Sequence, residues 1–347
     1  MSIFRWLAEM KFLDSFHWVS RQTPARWANI ARITQSYYRA RWTGSPAMQG
    51  MPVSVGIEPT TSCNLRCPEC PSGLRSFTRA TGMLPEALFE RIVDELAPTL
   101  SYLTFYFQGE PYLHPQFVDL VRYATQRKIY TSTSTNAHYL SNAQAEQTVR
   151  SGLSRLIISV DGTTQATYQA YRVGGNLEKV ITGTRHILAW KKKLRSTTPH
   201  VIFQFLVVKP NEHQIPDVLR LAKSLGVDEV KLKTAQIYDY ANGSALIPTQ
   251  GRYSRYRRNA DGTYRIKNRF DNHCWKMWHS CVVTWDGNVV PCCFDKDAHH
   301  VLGNLNEQSF AEIWQSAAYN TFRATLLKSR TEVEMCRNCT EGTKVWA

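Results

Sequence analysis

From residue 51 onward the hydrophobic pattern switches regularly between two periods. Apolar runs of strand length fall at 53–57, 102–107, 129–134, 156–160, 201–208 and 229–232. Helical spacing fills the gaps at 86–96, 115–127, 142–151, 177–193 and 214–225. Short strands alternating with longer helices call for a parallel sheet with helices on its outside. Six such units are two short of a closed eight-stranded barrel. The pattern therefore predicts an α/β fold, an open partial (β/α)6 TIM-like barrel over residues 51–235.

The flanks break this rhythm. Residues 1–50 read as two or three amphipathic helices, with Phe4, Trp6, Phe12, Phe16, Trp18, Trp27, Tyr37, Tyr38 and Trp42 among arginines. Such helices suit packing on the barrel, and aromatic with basic groups also suit a membrane headgroup layer. Residues 236–273, rich in Tyr, Arg, Gly and Asn, predict a basic linker with a hairpin at the barrel mouth. Residues 274–347 hold six of the nine cysteines and predict a small cysteine-rich α+β domain.

The net charge of +14 is unevenly spread. Residues 1–50 carry seven Lys or Arg against two Asp or Glu, and residues 248–273 carry the same balance. Two concentrated segments fit local anionic contacts better than a general nucleic-acid coat, so no nucleic acid is expected. The N-terminus has no apolar run of signal-peptide length, and charges break every run before the roughly 18 residues of a membrane span. The expected location is cytoplasmic, at most membrane-peripheral. In that reducing compartment cysteines argue for metal ligation over disulfides.

Cys63, Cys67 and Cys70 form a CxxxCxxC spacing just after the first apolar run. Three thiolates on one loop can hold three irons of a cubane cluster and leave the fourth open. Zinc would want a fourth Cys or His nearby, and the next His, His114, is more than forty residues on. This segment resembles the signature of the radical S-adenosylmethionine (SAM) enzymes. The resemblance covers residues 51 to about 235. It implies a [4Fe–4S] cluster on the three cysteines, SAM on the open iron, and cleavage of SAM to a 5′-deoxyadenosyl radical that takes a substrate hydrogen. One position departs: Glu69 stands where the family often has an aromatic residue against the adenine.

In a parallel barrel the loops after the strands converge on one cavity. Gln108-Gly109-Glu110-Pro111 follows the second strand and resembles the family's Gly-Gly-Glu-Pro motif. The resemblance gives Gly109 and Glu110 the SAM ammonium, which a carboxylate suits. It also turns Asn136, after Thr135, and Ser159 and Asp161 toward the SAM ribose and carboxylate. Singly these signals are weak: Asp161-Gly162 is a common turn pair, and Asn211-Glu212 reads equally well as a helix cap. Gln204 and Lys233 are polar residues in apolar runs and so candidates for the barrel interior. Arg252, Arg255, Arg257 and Arg258 are candidates to hold a phosphate or carboxylate. No catalytic acid, base or radical-quenching residue can be named from the sequence.

Thr284-Trp-Asp-Gly-Asn-Val reads as a hairpin turning at Asp286-Gly287, which would bring Cys274 and Cys292 together. Cys336 and Cys339 can complete a four-thiolate site, a set that suits zinc as well as iron and sulfur. Cys274, Gly287 and Cys292 resemble the opening of the SPASM domain, an extension of many radical SAM enzymes, and this implies an auxiliary [4Fe–4S] cluster. No cysteine occurs in the eight residues after Cys339, so one fully coordinated cluster of the shortened "twitch" kind is expected, suited to electron transfer. Cys281 and Cys293 are left as small buried residues or substitute ligands.

The expected function is radical SAM chemistry: oxidation, crosslinking or epimerisation of a peptide or of an anionic sugar, nucleotide or lipid headgroup. A flavodoxin- or ferredoxin-type electron donor is implied. The alternative is a non-catalytic electron-transfer or zinc-scaffold protein with an inherited barrel.

Overall fold

The computed structural model describes residues 3–343 and 345, with side chains described from Phe12 onward. Each expected strand forms: β1 (Ser54–Ile57), β2 (Tyr102–Thr104), β3 (Tyr130–Thr135), β4 (Arg155–Ser159), β5 (His200–Val207) and β6 (Glu229–Thr234). They pair in parallel, in chain order. β7 (Tyr256–Arg258) and β8 (Tyr264–Ile266) form a separate antiparallel hairpin. β9 (Ser280–Val283) then pairs parallel to the free side of β1, Ser280 opposite Ser54, and β10 (Val289–Val290) runs antiparallel to β9. The eight-stranded sheet has the order β10-β9-β1-β2-β3-β4-β5-β6. It is a mostly parallel, partial barrel, and its first two strands in that order come from the cysteine-rich C-terminal region.

The helices form where the spacing places them. Glu86–Leu96 buries Leu88, Phe89, Ile92, Val93 and Leu96 along one face, each worth about 2 kcal/mol. Leu177–Lys193 starts at Asn176, whose side chain accepts from Lys179 N, and ends on three lysines that complement its dipole. Past Ile129 and Tyr130 the run read as apolar consists of hydroxyl residues, yet β3 is almost wholly buried. Thr133 Oγ1 donates to Phe105 O (2.9 Å) and Thr131 Oγ1 accepts from Ser154 N (3.2 Å), so these hydroxyls enter the barrel already paired. Gln165–Tyr171 is an additional helix, too short for periodicity to reveal.

Two N-terminal helices, α1 (Ile3–Ser20) and α2 (Pro24–Thr43), close the base of the barrel. Asp14 takes the Tyr130 hydroxyl and the Arg155 guanidinium at the starts of β3 and β4. His17 Nε2 lies 3.1 Å from Ser154 Oγ. Buried Arg26 donates to the carbonyls of Lys128, Arg127 and Ala97 at 2.5, 3.0 and 2.8 Å. Tyr37 meets Trp275 and Trp278 edge-on. Phe4 and Trp6 lie outside the residues whose side chains are described. Among the described residues no helix is long and apolar enough to cross a membrane.

Candidate active site and second cysteine cluster

The loop after β1 carries the first three cysteines and is pinned at its root. Arg79 grips the Glu58 carboxylate with two bonds of 2.8 and 2.6 Å, and Trp285 N adds a third at 3.3 Å. Burial pushes the Glu58 carboxyl up, and Arg79 pulls it back. Farther on, a Cβ at Gly73 would stand 2.6 Å from the backbone N and O of Cys67, so only glycine lets the loop fold this tightly. Cys63 Sγ accepts from Leu65 N at 3.5 Å, and Cys70 Sγ lies 3.8 Å from Gln108 Oε1.

Cys63, Cys67, Cys70, Gly109, Glu110, Asn136 and Ser159 line one cavity, with Tyr106, Thr135 and Arg172 beside them. Gly109 has φ +74°, and a Cβ there would meet Thr60 O at 2.1 Å. Glu110 is buried and accepts from Thr135 Oγ1 (2.6 Å), Asn136 N (2.8 Å) and Tyr112 N (3.3 Å). Burial raises its carboxyl to about 6 against the pull of those donors. Asn136 Nδ2 donates to Asn64 Oδ1 at 2.8 Å and ties the end of β3 to the cysteine loop.

Asp161 stands one layer back. Its carboxylate accepts from Arg172 Nε (2.5 Å) and Leu206 N (2.7 Å). Arg172 in turn reaches Cys67 Sγ at 3.7 Å. Burial pushes the Cys67 thiol up, and the Arg172 guanidinium is the strongest opposing influence. Sequence reasoning missed Arg172, because it sits at the C-terminal cap of the short Gln165–Tyr171 helix. Glu69 accepts from Tyr238 N at 2.9 Å, latching residues 236–273 onto the cysteine loop.

The nominated substrate residues separate. Gln204 lies on β5 opposite Ser159. Lys233 is exposed on β6, and Arg252, Arg257 and Arg258 are exposed too. Arg255 alone turns inward: Nε donates to Thr234 O (3.2 Å) and Oγ1 (3.0 Å), while Nη1 is buried without a partner.

In the second set, Cys274, Cys336 and Cys339 are buried; burial pushes the Cys336 and Cys339 thiols up, and Cys274 adds to both. Arg330 Nη2 opposes this, donating to Cys339 Sγ at 3.3 Å. Gly342, at φ +87°, seats its backbone so that a Cβ would lie 2.3 Å from Cys274 Sγ. Gly287, at φ +89°, makes the turn between β9 and β10, and its N donates to Thr284 O at 3.0 Å. Past β10, Cys292 and Cys293 are free thiols; the neighbouring Cys293 and then burial push the Cys292 thiol up, and Cys274 adds a smaller push. Lys276 Nζ is 3.6 Å from Cys293 Sγ and 2.6 Å from Glu341. Cys281 lies apart, in the core beside Arg323 and Tyr319. A cavity of about 530 Å³ is lined by Pro71, Tyr238, Phe294, Lys296 and Met335, residues next in sequence to Cys70, Cys293 and Cys336 among them.

These donors fit the cofactors expected of them. Three thiols converge on a cavity whose lining holds no fourth Cys or His among the described residues. Three such thiols suit a cubane with one open iron, and the buried Glu110 carboxylate lines the same cavity. At the second site Cys274, Cys336 and Cys339 are neighbours, and Cys292 lies within the influence of Cys274.

Residues 57–222 match the radical SAM superfamily, and residues 274–340 match SPASM, an iron–sulfur cluster-binding domain. A PqqA peptide cyclase of Rhodopseudomonas palustris is 29% identical over 306 residues, 80% of this chain and 77% of that protein. A tungsten-containing aldehyde ferredoxin oxidoreductase cofactor-modifying protein of Pyrococcus furiosus is 26% identical over 297 residues, 77% of this chain and 82% of that one. Streptococcus suis SuiB bound to S-adenosylmethionine shares the fold with TM-score 0.64 at 14% identity, over 90% of this chain and 77% of its own. BtrN in complex with AdoMet and 2-DOIA does so with TM-score 0.54 at 18% identity, over 86% and 96%.

Proposed function

Since the chain is a radical SAM enzyme with a C-terminal SPASM domain, using a [4Fe–4S] cluster and SAM, we propose that it modifies a peptide bearing an acidic group. When bound, its cofactors supply reductive SAM cleavage and a 5′-deoxyadenosyl radical that takes a substrate hydrogen. The chain's own residues bind and orient. Cys63, Cys67 and Cys70 are the ligands of the SAM cluster, with Arg172 set beside Cys67 by Asp161. Glu110 receives the SAM ammonium, backed by Gly109, and Asn136 and Ser159 meet the ribose and carboxylate. Cys274, Cys292, Cys336 and Cys339 hold one auxiliary [4Fe–4S] cluster for electron transfer. A flavodoxin- or ferredoxin-type donor supplies the reducing electron.

One observation carries the substrate class. Arg255 is fastened to the end of β6, yet its Nη1 is buried without a partner. The Glu341 carboxylate, which feels Arg255 weakly, bonds Lys276 at 2.6 Å and makes no hydrogen bond to Arg255 Nη1. A buried donor left unpaired is costly, and an incoming carboxylate or phosphate would remove that cost in the planar geometry a guanidinium favours. Peptide cyclases among the relatives support a peptide as its carrier. A phosphorylated or carboxylated small molecule is the second reading, favoured by the same guanidinium.

The test is anaerobic turnover with SAM, reductant and short peptides containing Asp or Glu. Products are read by mass: loss of two hydrogens for oxidation or crosslinking, no change for epimerisation. Arg255→Ala should raise KM about tenfold or more, the worth of a charge-assisted hydrogen bond, with substrate-free 5′-deoxyadenosine release unchanged. An unchanged KM overturns the anion reading. Turnover of anionic small molecules and not peptides transfers it to the second reading.

A further inference from the structure

The helices that close the barrel base each present a second face that the chain leaves uncovered. Asp14 and His17 on α1, and Arg21 just past its end, bond residues of the barrel. At 100° per residue, Phe12, Phe16 and Val19 project from the opposite side, Phe12 being 69% and Phe16 63% exposed. On α2, Arg26, Ile33, Tyr37 and Ala40 are buried. Trp27, Tyr38 and Trp42 form the outer stripe, Trp42 at 90% exposure. Exposed Arg32 and Arg39 flank that stripe on one side and Arg41 on the other. Seven of the fifteen large apolar side chains exposed among the described residues fall between Phe12 and Trp42, which makes this a patch and not scatter.

The charge around it has one sign. From residue 12 to residue 50 the only acidic residue is Asp14, and it is buried against Tyr130 and Arg155. At the same end, Lys128 before β3, and Lys192 and Lys193 at the end of the Leu177–Lys193 helix with Arg195 just beyond it, add exposed positive charge. The acids there are occupied, Asp94 by Arg127 at 2.5 Å and Asp228 by Lys191 at 2.6 Å. Phenylalanine and valine facing water find no partner on a nucleic acid. A cationic rim finds none on a neutral protein. Apolar groups ringed by arginines suit the boundary between phosphates and acyl chains.

We propose that the base of the barrel docks on an anionic phospholipid bilayer through α1 and α2. The mouth, at the other end of the strands, stays open to substrate from the aqueous side.

The full-length holoprotein should sediment with phosphatidylcholine vesicles that contain phosphatidylglycerol, weakly or not at all with phosphatidylcholine alone, and less as salt is raised. Arg32→Gln with Arg39→Gln should weaken binding by roughly fivefold per arginine. Phe12→Ser with Phe16→Ser should weaken it further. These side chains are exposed, so melting temperature and iron content should stay at the wild-type values. Absence of sedimentation with the anionic vesicles overturns the proposal, as does binding that neither variant alters. A concentration-dependent dimer abolished by the phenylalanine changes, without vesicle binding, overturns it in favour of a second copy of the chain.

Discussion

Glu110→Gln separates the work this residue does for the fold from the work assigned to it for SAM. Gln keeps the size and the Oε1 acceptor for Thr135 Oγ1 and Tyr112 N, but sets an NH2 group against Asn136 N–H. Losing one hydrogen bond to a charged acceptor costs about 1.5–3 kcal/mol. Burial, however, raises the carboxyl from its ordinary 4.5 to about 6, so holding it ionised at pH 7 costs the folded chain about 2 kcal/mol that an amide does not carry. The sign follows from the raised value: this group favours the fold below about pH 4.5 and loses that contribution as pH rises through 6. The two effects nearly cancel, and the melting temperature should stay within a few degrees. Binding should not survive. Breaking a buried charge pair with the SAM ammonium costs about 3–5 kcal/mol, a weakening of at least about a hundredfold. Titration calorimetry of SAM into anaerobically reconstituted protein measures this. In the wild type the affinity should fall about tenfold per pH unit below about pH 6, while Glu110→Gln stays flat. A variant that melts normally and binds SAM within about threefold of wild type refutes the ammonium site.

Iron analysis should find about eight irons, falling to about four when Cys63, Cys67 and Cys70 become Ala; about four falling to none, with zinc in the remainder, would make the C-terminal site structural. Gly109→Ala should lose SAM binding, since the left-handed φ costs about 1–2 kcal/mol before its Cβ meets Thr60 O at 2.1 Å, and calorimetry showing wild-type affinity would contradict that. Cys292→Ala should lose the auxiliary iron, whereas Cys281→Ala should keep it at a cost of about 1 kcal/mol in stability. Iron lost from the second variant alone would exchange their roles.

Strands and helices of the barrel are legible in the chain because periods of 2 and 3.6 are local properties, each set within one element. Parallel order adds a rule of position, so residues just past strand ends meet in one cavity, as Cys63, Glu110, Asn136 and Ser159 do. Asp161 shows where that rule stops. Chain order puts it at a strand end, but a salt bridge turns its carboxylate onto Arg172. Arg172 itself has no sequence signal: its partners Asp161 and Cys67 are 11 and 105 residues away, and its helix is too short to show a period. Composition sets residues 274–347 apart, yet β1 had an unpaired edge, and unpaired backbone at a sheet edge recruits a strand, here β9.

The sequence by itself determined the element order, the parallel sheet and the cysteine spacings, because backbone preference and loop length act over a few residues. Tertiary structure alone decided which of four similar arginines turns inward, which cysteine lies apart in the core, and which side of the N-terminal helices meets the barrel. Those outcomes depend on burial and charge pairing across more than a hundred residues of chain, as between Asp14 and Arg155, and no local pattern encodes a partner that only folding brings near.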